Sequence, residues 1–453
     1  MNKTGTNERF AVLANLRSRN TAGWMGGYST AQGCNFKHFV PAWPMLDRSF
    51  ANVTGSARSY LDHNATTPVR PEVAEAMLAA LRMPGNPSSV HTEGRLARAA
   101  VEKAREQVAQ LCAARPANVV FTSGGTEANA TVLSPALMEC SGGRDCVRMP
   151  GSLLLYGATE HACVRDGHRF AGGAAETIPV DAAGLADLAW LETRLQRLAS
   201  EQPGARALVS LHLANNETGV IQSIAEAAVI ARRYGALLHC DAVQAAGKIP
   251  VDINALGADV LALSAHKIGG PKGVGAIVLR SGTYELADKP VRGGGQERGW
   301  RAGTENVPGI VGFGVAAEIA GKALATEAAR LSNLRSTLEA GILALAPETV
   351  LFGRAAPRLP NTSAFATPGI KAETALIMLD LAGIALSSGS ACSSGKVKRS
   401  HVLDAMGVDP VMSAGALRAS LGWTTSEADI ADFLAAYAKA LAAKTGRERQ
   451  AAA

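Results

Sequence analysis

The sequence predicts an α/β fold in which a mainly parallel sheet is followed by a smaller α+β unit. Short apolar runs alternate with helical segments between residues 119 and 279, an alternation that is typical of parallel sheets. Several of these runs are apolar at every position, as strands covered on both faces must be. Past about residue 320 the alternation changes, which indicates where the second unit begins.

Six buried strands are predicted from these runs. Most of the polar motifs described below follow directly after one of them, at the edge where open α/β sheets bind ligands. The predicted strands span residues 119–121, 153–156, 207–211, 237–240, 260–263 and 276–279.

Helices are predicted on either side of this region. Pro71 stands in the first turn of a helix over residues 71–82, and a near-helical apolar period predicts another over 95–112. The second unit is predicted to contain helices over residues 323–345, 374–382 and 429–443, and short strands over 349–352 and 384–386.

Composition excludes several classes of protein. Hydrophobic residues make up 47% of the chain and charged residues 19%, so the body of the chain can bury a large core. The net charge of +6 comes from scattered lysines and arginines, which does not predict a nucleic-acid surface. No apolar run approaches the roughly 20 residues of a membrane span, so no membrane association is expected. Residues 1–55 lack periodicity and are predicted to form a disordered or dispensable extension.

The cysteines favour a reducing compartment. There are seven, an odd number, and no two form a CxxC pair. This argues against a disulfide framework and against a zinc site, and it fits the cytoplasm.

The most informative stretch runs from Ser264 to Gly273. It places Lys267 directly after His266, at the end of an apolar run and ahead of a glycine-rich turn. A lysine that forms a Schiff base with pyridoxal phosphate must be held rigidly, must lose its proton and must lie beside phosphate donors. By itself a His-Lys pair is more often a solvated surface feature, so the hypothesis depends on matching parts elsewhere.

Two further motifs supply such parts. Gly124, Gly125 and Thr126 stand between a strand and a helix, where free backbone N–H groups bind anions such as phosphate. Asp241 ends another strand and could keep a pyridinium nitrogen protonated, while Gln244, three residues later, could bond the phenolic oxygen of the ring. Taken alone, the first motif is an ordinary turn and the second a helix N-cap.

Two more polar groups follow strands. His161 could stack on an aromatic ring and move protons, although an isolated histidine is more often structural. Asn215 and Asn216 could bind a carboxylate or a phenolate, or could simply shape a turn.

A single cysteine stands apart from the other six. Cys392 lies among eight small residues between 387 and 395, a poor place to bury a thiol. An exposed, mobile loop suits a nucleophile that must visit a site and then leave. The alternative is a flexible linker with an incidental thiol.

Taken together, these motifs resemble those of the cysteine desulfurases of the NifS/IscS type, in the class V aminotransferase branch of fold-type I pyridoxal-phosphate enzymes. They span about residues 58 to 440, in the order and spacing typical of that family. The matching motifs are residues 60–68 (YLDHNATTP), 85–89 (GNPSS), 122–127 (TSGGTE), 159–161 (TEH), 215–217 (NNE), 241–244 (DAVQ), 264–273 (SAHKIGGPKG), 293–299 (GGGQERG), 301–304 (RAGT), 387–392 (SSGSAC) and 418–422 (RASLG).

The resemblance implies a large cofactor-binding domain over residues 64–320 with a seven-stranded sheet. It also implies a small domain built from residues 56–63 and 321–445, which carries the cysteine loop. Lys267 would carry the cofactor, and Thr304 would reach the phosphate from the other subunit of a homodimer. The remaining cofactor contacts implied are Gly125, Thr126, His161, Asn216, Asp241, Gln244, Ser264 and His266.

The resemblance also implies the reaction. Arg418 and Asn216 would bind the α-carboxylate of L-cysteine, Lys267 and His161 would act as catalytic residues, and Cys392 would take the sulfur as a persulfide, leaving L-alanine. The sulfur would pass to an acceptor or an iron–sulfur scaffold protein in the cytoplasm. No metal site is expected beyond a transient iron–sulfur contact through Cys392.

Three other functions stay open at this point. A selenocysteine lyase or a class V transaminase would use the same cofactor, although a transaminase has no need of Cys392. A non-enzymatic sulfur carrier or scaffold-binding protein would not need Lys267, Asp241 and His161 intact.

Overall fold

The structure is a computed structural model that describes residues 58–141, 145–147, 152–388 and 399–451. The predicted extension over residues 1–55 and the predicted nucleophile Cys392 lie outside the described residues.

A seven-stranded sheet, here called the large sheet, confirms the predicted fold class. Its strands are parallel except for Gly275–Leu279, which runs antiparallel to both of its neighbours. All six predicted strands are present, and each is extended by one residue. In spatial order the strands are Val119–Thr122, Gly275–Leu279, Val260–Ser264, Leu237–Asp241, Ala207–His212, Leu153–Gly157 and Ala175–Ile178.

The seventh strand, Ala175–Ile178, was not predicted. It lies at the edge of the large sheet, and only Ile178 is buried. Because this edge strand buries only one apolar side chain, it contains no run of apolar residues from which a strand could be predicted.

Both faces of the large sheet are covered. Leu153 and Leu155 point into one core and Leu154 into the other, and all three are buried. Each fully buried leucine contributes roughly 2 kcal/mol through the hydrophobic effect. The need to bury both faces explains why these strands are apolar at every position.

Helices and short 3₁₀ turns cover these faces and connect the strands. Pro71–Leu81 and Thr92–Leu111 confirm the two predicted N-terminal helices and pack against Val307–Leu345. The other elements in this part of the chain are the helices Gly125–Val132, Ala162–Arg165, Leu188–Glu201, Ile224–Arg233 and Ile253–Leu256, and the 3₁₀ turns Pro116–Asn118, Ala265–Lys267 and Gln296–Gly299.

The helix Val307–Leu345 starts 16 residues before its predicted beginning, capped by Asn306. The prediction missed this first part of the helix because it contains several glycines, which disfavour helices. A Cβ atom on Gly312 would lie 2.7 Å from Met77 Cγ, and one on Gly314 would lie 2.5 Å from Ala104 Cα. These glycines therefore permit close helix packing that a propensity argument does not anticipate.

The same helix contains no uninterrupted apolar run of about 20 residues, because Glu318 and Lys322 stand within it. By length and composition alone, Val307–Leu345 is long and apolar enough to cross a membrane. Half of its most apolar window is buried inside the fold, as in a core helix of a globular protein.

A four-stranded antiparallel sheet, here called the small sheet, lies later in the chain. Its order is Val350–Leu351, Thr362–Ala366, Leu417–Ser420 and Ser387–Ser388. A separate parallel pair joins Ser59–Tyr60 to Ile384–Ala385. The helices here are Ala372–Leu381, His401–Ala405, Pro410–Ala414 and Glu427–Ala451.

The small sheet has its own core around Phe365, Phe433 and Tyr437. The division into domains of 64–320 and of 56–63 with 321–445 stays a prediction, because one helix serves both cores. Phe313 of Val307–Leu345 packs under the large sheet, and Leu338 of the same helix packs under the small one.

A third, three-stranded sheet was not predicted. It contains Leu137–Ser141, Asp145–Val147 and Tyr284–Leu286, and it places Cys140 opposite Cys146. Cys140 is disulfide-bonded, which corrects the expectation that the cysteines are reduced. One such bond is still not the framework of a disulfide-stabilised fold.

Candidate active site

A cavity of about 240 Å³, here called the main cavity, lies at the carboxyl ends of the parallel strands. It gathers every described residue of the predicted site except Thr304. The predicted residues that line it are Gly125, Thr126, His161, Asn216, Asp241, Gln244, Ser264, His266, Lys267 and Arg418. Residues that were not predicted to bind also line it: Asn64, Ala65, Asn129, Cys163, His212, Ala214 and Val243.

The glycine turn brings backbone to one end of the main cavity. Gly125 begins the helix Gly125–Val132, and a Cβ atom on it would lie 2.8 Å from Val243 Cγ2. The helix start is therefore packed against the strand-end segment that follows Asp241. Backbone N–H groups at such a helix start, beside the Thr126 hydroxyl, suit a phosphate group.

His266 stands at the same end. Its Nδ1 lies 3.2 Å from Thr66 Oγ1. Burial, with smaller contributions from the charges of Lys267 and Lys272, lowers the pKa of His266 to about 4. The ring is therefore neutral near pH 7 and can offer one N–H donor and one acceptor.

Asp241 is held rigidly at the end of its strand. Its Oδ1 accepts a hydrogen bond from the Val243 N–H at 2.9 Å, and its Oδ2 accepts one from Asn129 Nδ2 at 2.7 Å. The side chain is buried yet faces the cavity. These two hydrogen bonds fix the orientation of the carboxylate, which is thereby suited to bind a positively charged group in the cavity.

Asn129 is a functional neighbour that sequence reasoning did not single out. It stands two residues after the TSGGTE motif, and its amide joins Asp241 to Cys163 Sγ, 3.2 Å away. The spacing of three residues from Thr126, one helical turn, is the signal that could have found it.

His161 caps the short helix Ala162–Arg165. Its Nδ1 accepts from the Cys163 N–H at 3.2 Å and lies 3.0 Å from Cys163 Sγ. Accepting a backbone N–H at Nδ1 assigns the ring proton of the neutral form to Nε2. Cys163 thus links His161 to Asn129 in the wall of the main cavity.

Lys267 lies in the 3₁₀ turn Ala265–Lys267. Its Nζ donates to the carbonyl oxygens of Asn64 at 2.5 Å and of Ala65 at 2.8 Å. The Thr67 N–H donates in turn to the His266 carbonyl at 2.9 Å. Residues 64–67, which include the two carbonyl oxygens that accept from the amine, are therefore packed against the 3₁₀ turn that contains Lys267.

Arg418 enters the main cavity from the small sheet. It is almost completely buried, and its Nη2 bonds Asp62 Oδ1 at 2.7 Å while Nη1 donates to the Asn216 carbonyl at 3.1 Å. Its buried Nε has no partner among the described residues. A buried guanidinium with an unmet donor is suited to bind a carboxylate.

A buried acid–base pair forms part of the cavity wall. Glu160 Oε1 lies 3.0 Å from His212 Nδ1, and both side chains are buried. Burial raises the pKa of Glu160. Burial alone would lower the pKa of His212, but the Glu160 charge and hydrogen bond outweigh it and raise that pKa.

Glu217 ties the cavity to the chain beyond the undescribed residues 389–398. Ser400 Oγ donates to Glu217 Oε2 at 2.5 Å, and His401 Nε2 lies 2.9 Å from the Glu160 carbonyl. Burial raises the pKa of Glu217 to about 7, although the Ser400 hydrogen bond and the Arg418 charge oppose that rise. Ser400 and His401 are therefore bonded to residues that stand next in sequence to Asn216 and His161 of the main cavity.

Thr304 lies elsewhere on this chain. It is exposed and lines a separate cavity of about 230 Å³ with Ser123 and Glu305. An ion pair of 3.0 Å between Arg301 and Glu127 connects its loop to the glycine turn. That Thr304 serves the site of a second subunit stays a prediction.

The described residues fit pyridoxal phosphate. An acidic group fixed by two donors faces the cavity at Asp241, anion donors gather at Gly125 and Thr126, and a primary amine lies in the same cavity at Lys267. Gly125 leaves no room for a Cβ atom, and the absence of a side chain there lets the backbone come close to a phosphate.

Comparisons with known proteins agree with this geometry. The family described as "Aminotransferase class-V" matches residues 59–433. The chain is similar to "Cysteine desulfurase" of Cereibacter sphaeroides, with 44% identity over 82% of this chain and 92% of the relative. It is also similar to "Cysteine desulfurase IscS" of Dictyoglomus turgidum, with 40% identity over 82% of this chain and 91% of the relative.

Solved structures give the same picture. The NifS-like protein from Rickettsia africae superposes with a TM-score of 0.74 at 34% identity, covering 85% of this chain and 99% of that one. The apo cysteine desulfurase from Thermococcus onnurineus superposes with a TM-score of 0.69 at 25% identity, covering 84% and 94%.

Proposed function

Because the chain belongs to the class V aminotransferase family and, within it, to the cysteine desulfurases, we propose that it uses pyridoxal phosphate to remove sulfur from L-cysteine. The products are L-alanine and a persulfide on Cys392. The observation that carries this proposal is the meeting of Lys267, Asp241 and Arg418 in one cavity. These three supply an amine for the cofactor, a carboxylate for its ring and a cation for the substrate carboxylate.

The large sheet supplies the cofactor contacts. When bound, the cofactor provides an electron sink that weakens the bonds at the substrate α-carbon. Asp241 keeps a proton on the ring nitrogen, and the hydrogen bonds from Asn129 and Val243 keep its carboxylate aimed at that nitrogen. Gly125, Thr126, Ser264 and His266 would hold the phosphate, and His161 would lie against the ring.

Lys267 carries the cofactor and then moves protons at its Nζ. To do so, the amine must leave the carbonyl oxygens of Asn64 and Ala65 that now accept from it. Those two oxygens would accept from the amine whenever Nζ is not bonded to the cofactor. Lys267 would then remain in the main cavity, where it could move a proton as a general acid or base.

The substrate is oriented from the other side by the small sheet. Arg418 binds the α-carboxylate, and Asn216 lies beside it, with its carbonyl already bonded to Arg418 Nη1. Asp62 holds the guanidinium in place through Nη2. A charge held in a buried, preorganised position binds a carboxylate more strongly than one in water.

Cys392 attacks the substrate sulfur. Chain connectivity supports this role, since Cys392 follows Ser388 by four residues and stays within about 14 Å of it. Ser387 and Ser388 pair with Arg418 and Leu417 in the small sheet, next to the proposed carboxylate site. The chain therefore enters the segment that carries Cys392 beside the proposed carboxylate site.

Two variants test the proposal. Purified enzyme with added pyridoxal phosphate should show a visible absorption band and release alanine from L-cysteine. Lys267→Ala should abolish the band, and Cys392→Ser should keep the band but lose alanine formation. Cys112→Ser, which changes a buried thiol away from the cavity, is the matched control and should keep both. A colourless wild type would refute the cofactor assignment, and sulfur release by Cys392→Ser would refute the nucleophile.

The alternatives are not favoured. The relatives above carry the name cysteine desulfurase, and none of the three alternative functions is needed to explain the site. Turnover of cysteine, selenocysteine and alanine with an oxo-acid acceptor, measured side by side, separates the desulfurase from a selenocysteine lyase and a transaminase.

The proposal extends to partners and place of action. Thr304 is exposed and outside the main cavity of its own chain, which supports a homodimer in which it reaches the phosphate of the other subunit. The persulfide passes to a sulfur acceptor or an iron–sulfur scaffold protein in the cytoplasm. Thr304→Ala should weaken cofactor binding while the molecular mass in light scattering stays that of a dimer.

A further inference from the structure

Lys248 is a buried lysine behind the main cavity. It follows Gly247, which adopts a left-handed conformation at φ +72° and approaches Ile268 so closely that a Cβ atom would lie 2.9 Å from Ile268 Cγ2. The backbone at Gly247 is therefore packed closely against Ile268, the residue that follows Lys267. The side chain of Lys248 is 8% exposed.

The amine of Lys248 contacts amide groups rather than acids. Its Nζ donates to Gln244 Oε1 at 2.8 Å and to Asn64 Oδ1 at 3.3 Å. No carboxylate of the residues that the structure describes lies within ion-pair distance of it. Burial, and then the charges of Lys267 and Arg418, lower its pKa well below the ordinary value.

Such a placement costs free energy. A buried ammonium group without an opposite charge is less favourable than a methionine of similar length. The amine therefore needs hydrogen bonds, and the two that it makes both go to residues that line the main cavity.

The contact with Gln244 fixes the direction of an amide. Lys248 Nζ donates to the oxygen of Gln244, so that oxygen is turned toward Lys248. The nitrogen of Gln244 then donates to the Asn64 carbonyl at 2.9 Å, and that carbonyl also accepts from Lys267 Nζ. The Lys248 amine and the Asn64 carbonyl therefore favour the same orientation of the Gln244 amide, and Lys248 is the group that binds its oxygen.

We propose that Lys248 is a positioning residue that makes Gln244 present an N–H donor, rather than an acceptor, to the phenolic oxygen of the bound cofactor. Through Asn64 it also steadies the carbonyl that anchors Lys267. This inference rests on the proposed function, because it assigns the phenolic oxygen to the Gln244 side of the cavity.

The direction of the effect follows from hydrogen bonding. A donor to the phenolic oxygen draws charge away from the neighbouring protonated imine nitrogen and lowers the pKa at which the visible band changes. Loss of that donor raises this pKa. Loss of a nearby positive charge acts in the same direction, so the two contributions must be separated by experiment.

The test is a pH titration of the visible band in holoenzyme. Lys248→Met should raise the apparent pKa by about one unit and weaken cofactor binding by about tenfold. Lys322→Met, an exposed lysine far from the cavity, is the control and should leave both unchanged. A folded Lys248→Met enzyme with an unchanged band pKa and cofactor affinity would overturn the inference.

A double-mutant cycle separates positioning from charge. In a Gln244→Leu enzyme, Lys248→Met should produce less than a third of its shift in the wild-type background, because the amide through which it acts is gone. An undiminished shift would mean that charge alone is responsible, and positioning would be refuted.

Two readouts keep the inference independent of folding and of the main proposal. Gln244→Leu alone should also raise the band pKa, and no shift there would refute the inference even if Lys248→Met did not fold. A wild-type enzyme without any cofactor band would instead refute the proposed function.

Discussion

Two sets of side chains meet in the main cavity, and the chain places them differently. Thr126, His161, Asp241 and Lys267 come directly after strands of the large sheet, so the sheet brings them to one edge. Asp62, Asn64 and Arg418 instead come from segments about 350 residues apart that dock across the fold.

The docked set is held by side-chain contacts rather than by a shared sheet edge. Asn64 Nδ2 donates to Thr362 Oγ1 at 2.9 Å, and Asn361 Nδ2 donates to Asn64 Oδ1 at 3.1 Å. The Asp62–Arg418 ion pair adds a third link. The comparison suggests that the strand-end set governs the chemistry of the cofactor, whereas the docked set governs how substrate is held.

The largest expected effect concerns the strand-end set. Asp241→Asn should lower kcat by at least about a hundredfold, because a neutral amide cannot keep the ring nitrogen protonated. KM for cysteine should change much less. The measurement is alanine formation under saturating cofactor.

Asp252→Asn is the matched control for that variant. Asp252 caps the helix Ile253–Leu256 far from the cavity, and asparagine caps about as well as aspartate. A loss of kcat in both variants, or in neither, would contradict the assignment of Asp241.

A smaller effect is expected from the docked set. Arg418→Lys keeps the charge but loses the two-pronged geometry, so KM for cysteine should rise about tenfold or more while the visible cofactor band persists. Arg197→Lys, in an exposed ion pair with Glu201, is the control. If Arg418→Lys abolished the band but spared KM, the division of roles between the two sets would be wrong.

The smallest expected effect lies where the two sets meet. Glu217 bonds Ser400, and burial raises its pKa to about 7 from an unfolded value of 4.5. Between these values the folded protein binds the extra proton, so this group stabilises the fold fully below pH 4.5 and loses that contribution as pH rises through 7. Glu217→Gln mimics the protonated form at every pH.

Urea unfolding at pH 5 and pH 8 measures this difference. Relative to Glu217→Gln, the wild type should lose about 1–3 kcal/mol of unfolding free energy between the two pH values. The exposed Glu348→Gln should show no such difference. A wild type that tracked the Glu217→Gln enzyme across this range would refute the raised pKa.

Sequence reasoning reached the strand-end set because local signals mark it. An apolar run ending at Asp241 or before Lys267 predicts both a strand and the position of the polar group beyond it. The same reasoning predicted all the central strands but missed the edge strand Ala175–Ile178, whose burial is too slight to leave a pattern.

Other reasons explain the missed site residues. Asn64 reaches the cavity through hydrogen bonds between distant segments, and His212 reads in sequence as part of a strand, whereas Asn129 has a local signal in its spacing from Thr126. Lys248 shows this most clearly, because a lysine in sequence predicts a solvated charge. Only its surroundings reveal that it is buried.

The sequence by itself therefore determined the class of fold and the family, and it predicted the cofactor lysine and the carboxylate partner of the ring. It could do so because strand burial and strand-end chemistry are local and periodic. The tertiary structure decided which distant groups complete the cavity, how Arg418 and Lys267 are anchored, and which way the Gln244 amide faces. Those outcomes depend on hydrogen bonds between residues far apart in the chain, and no local pattern encodes them.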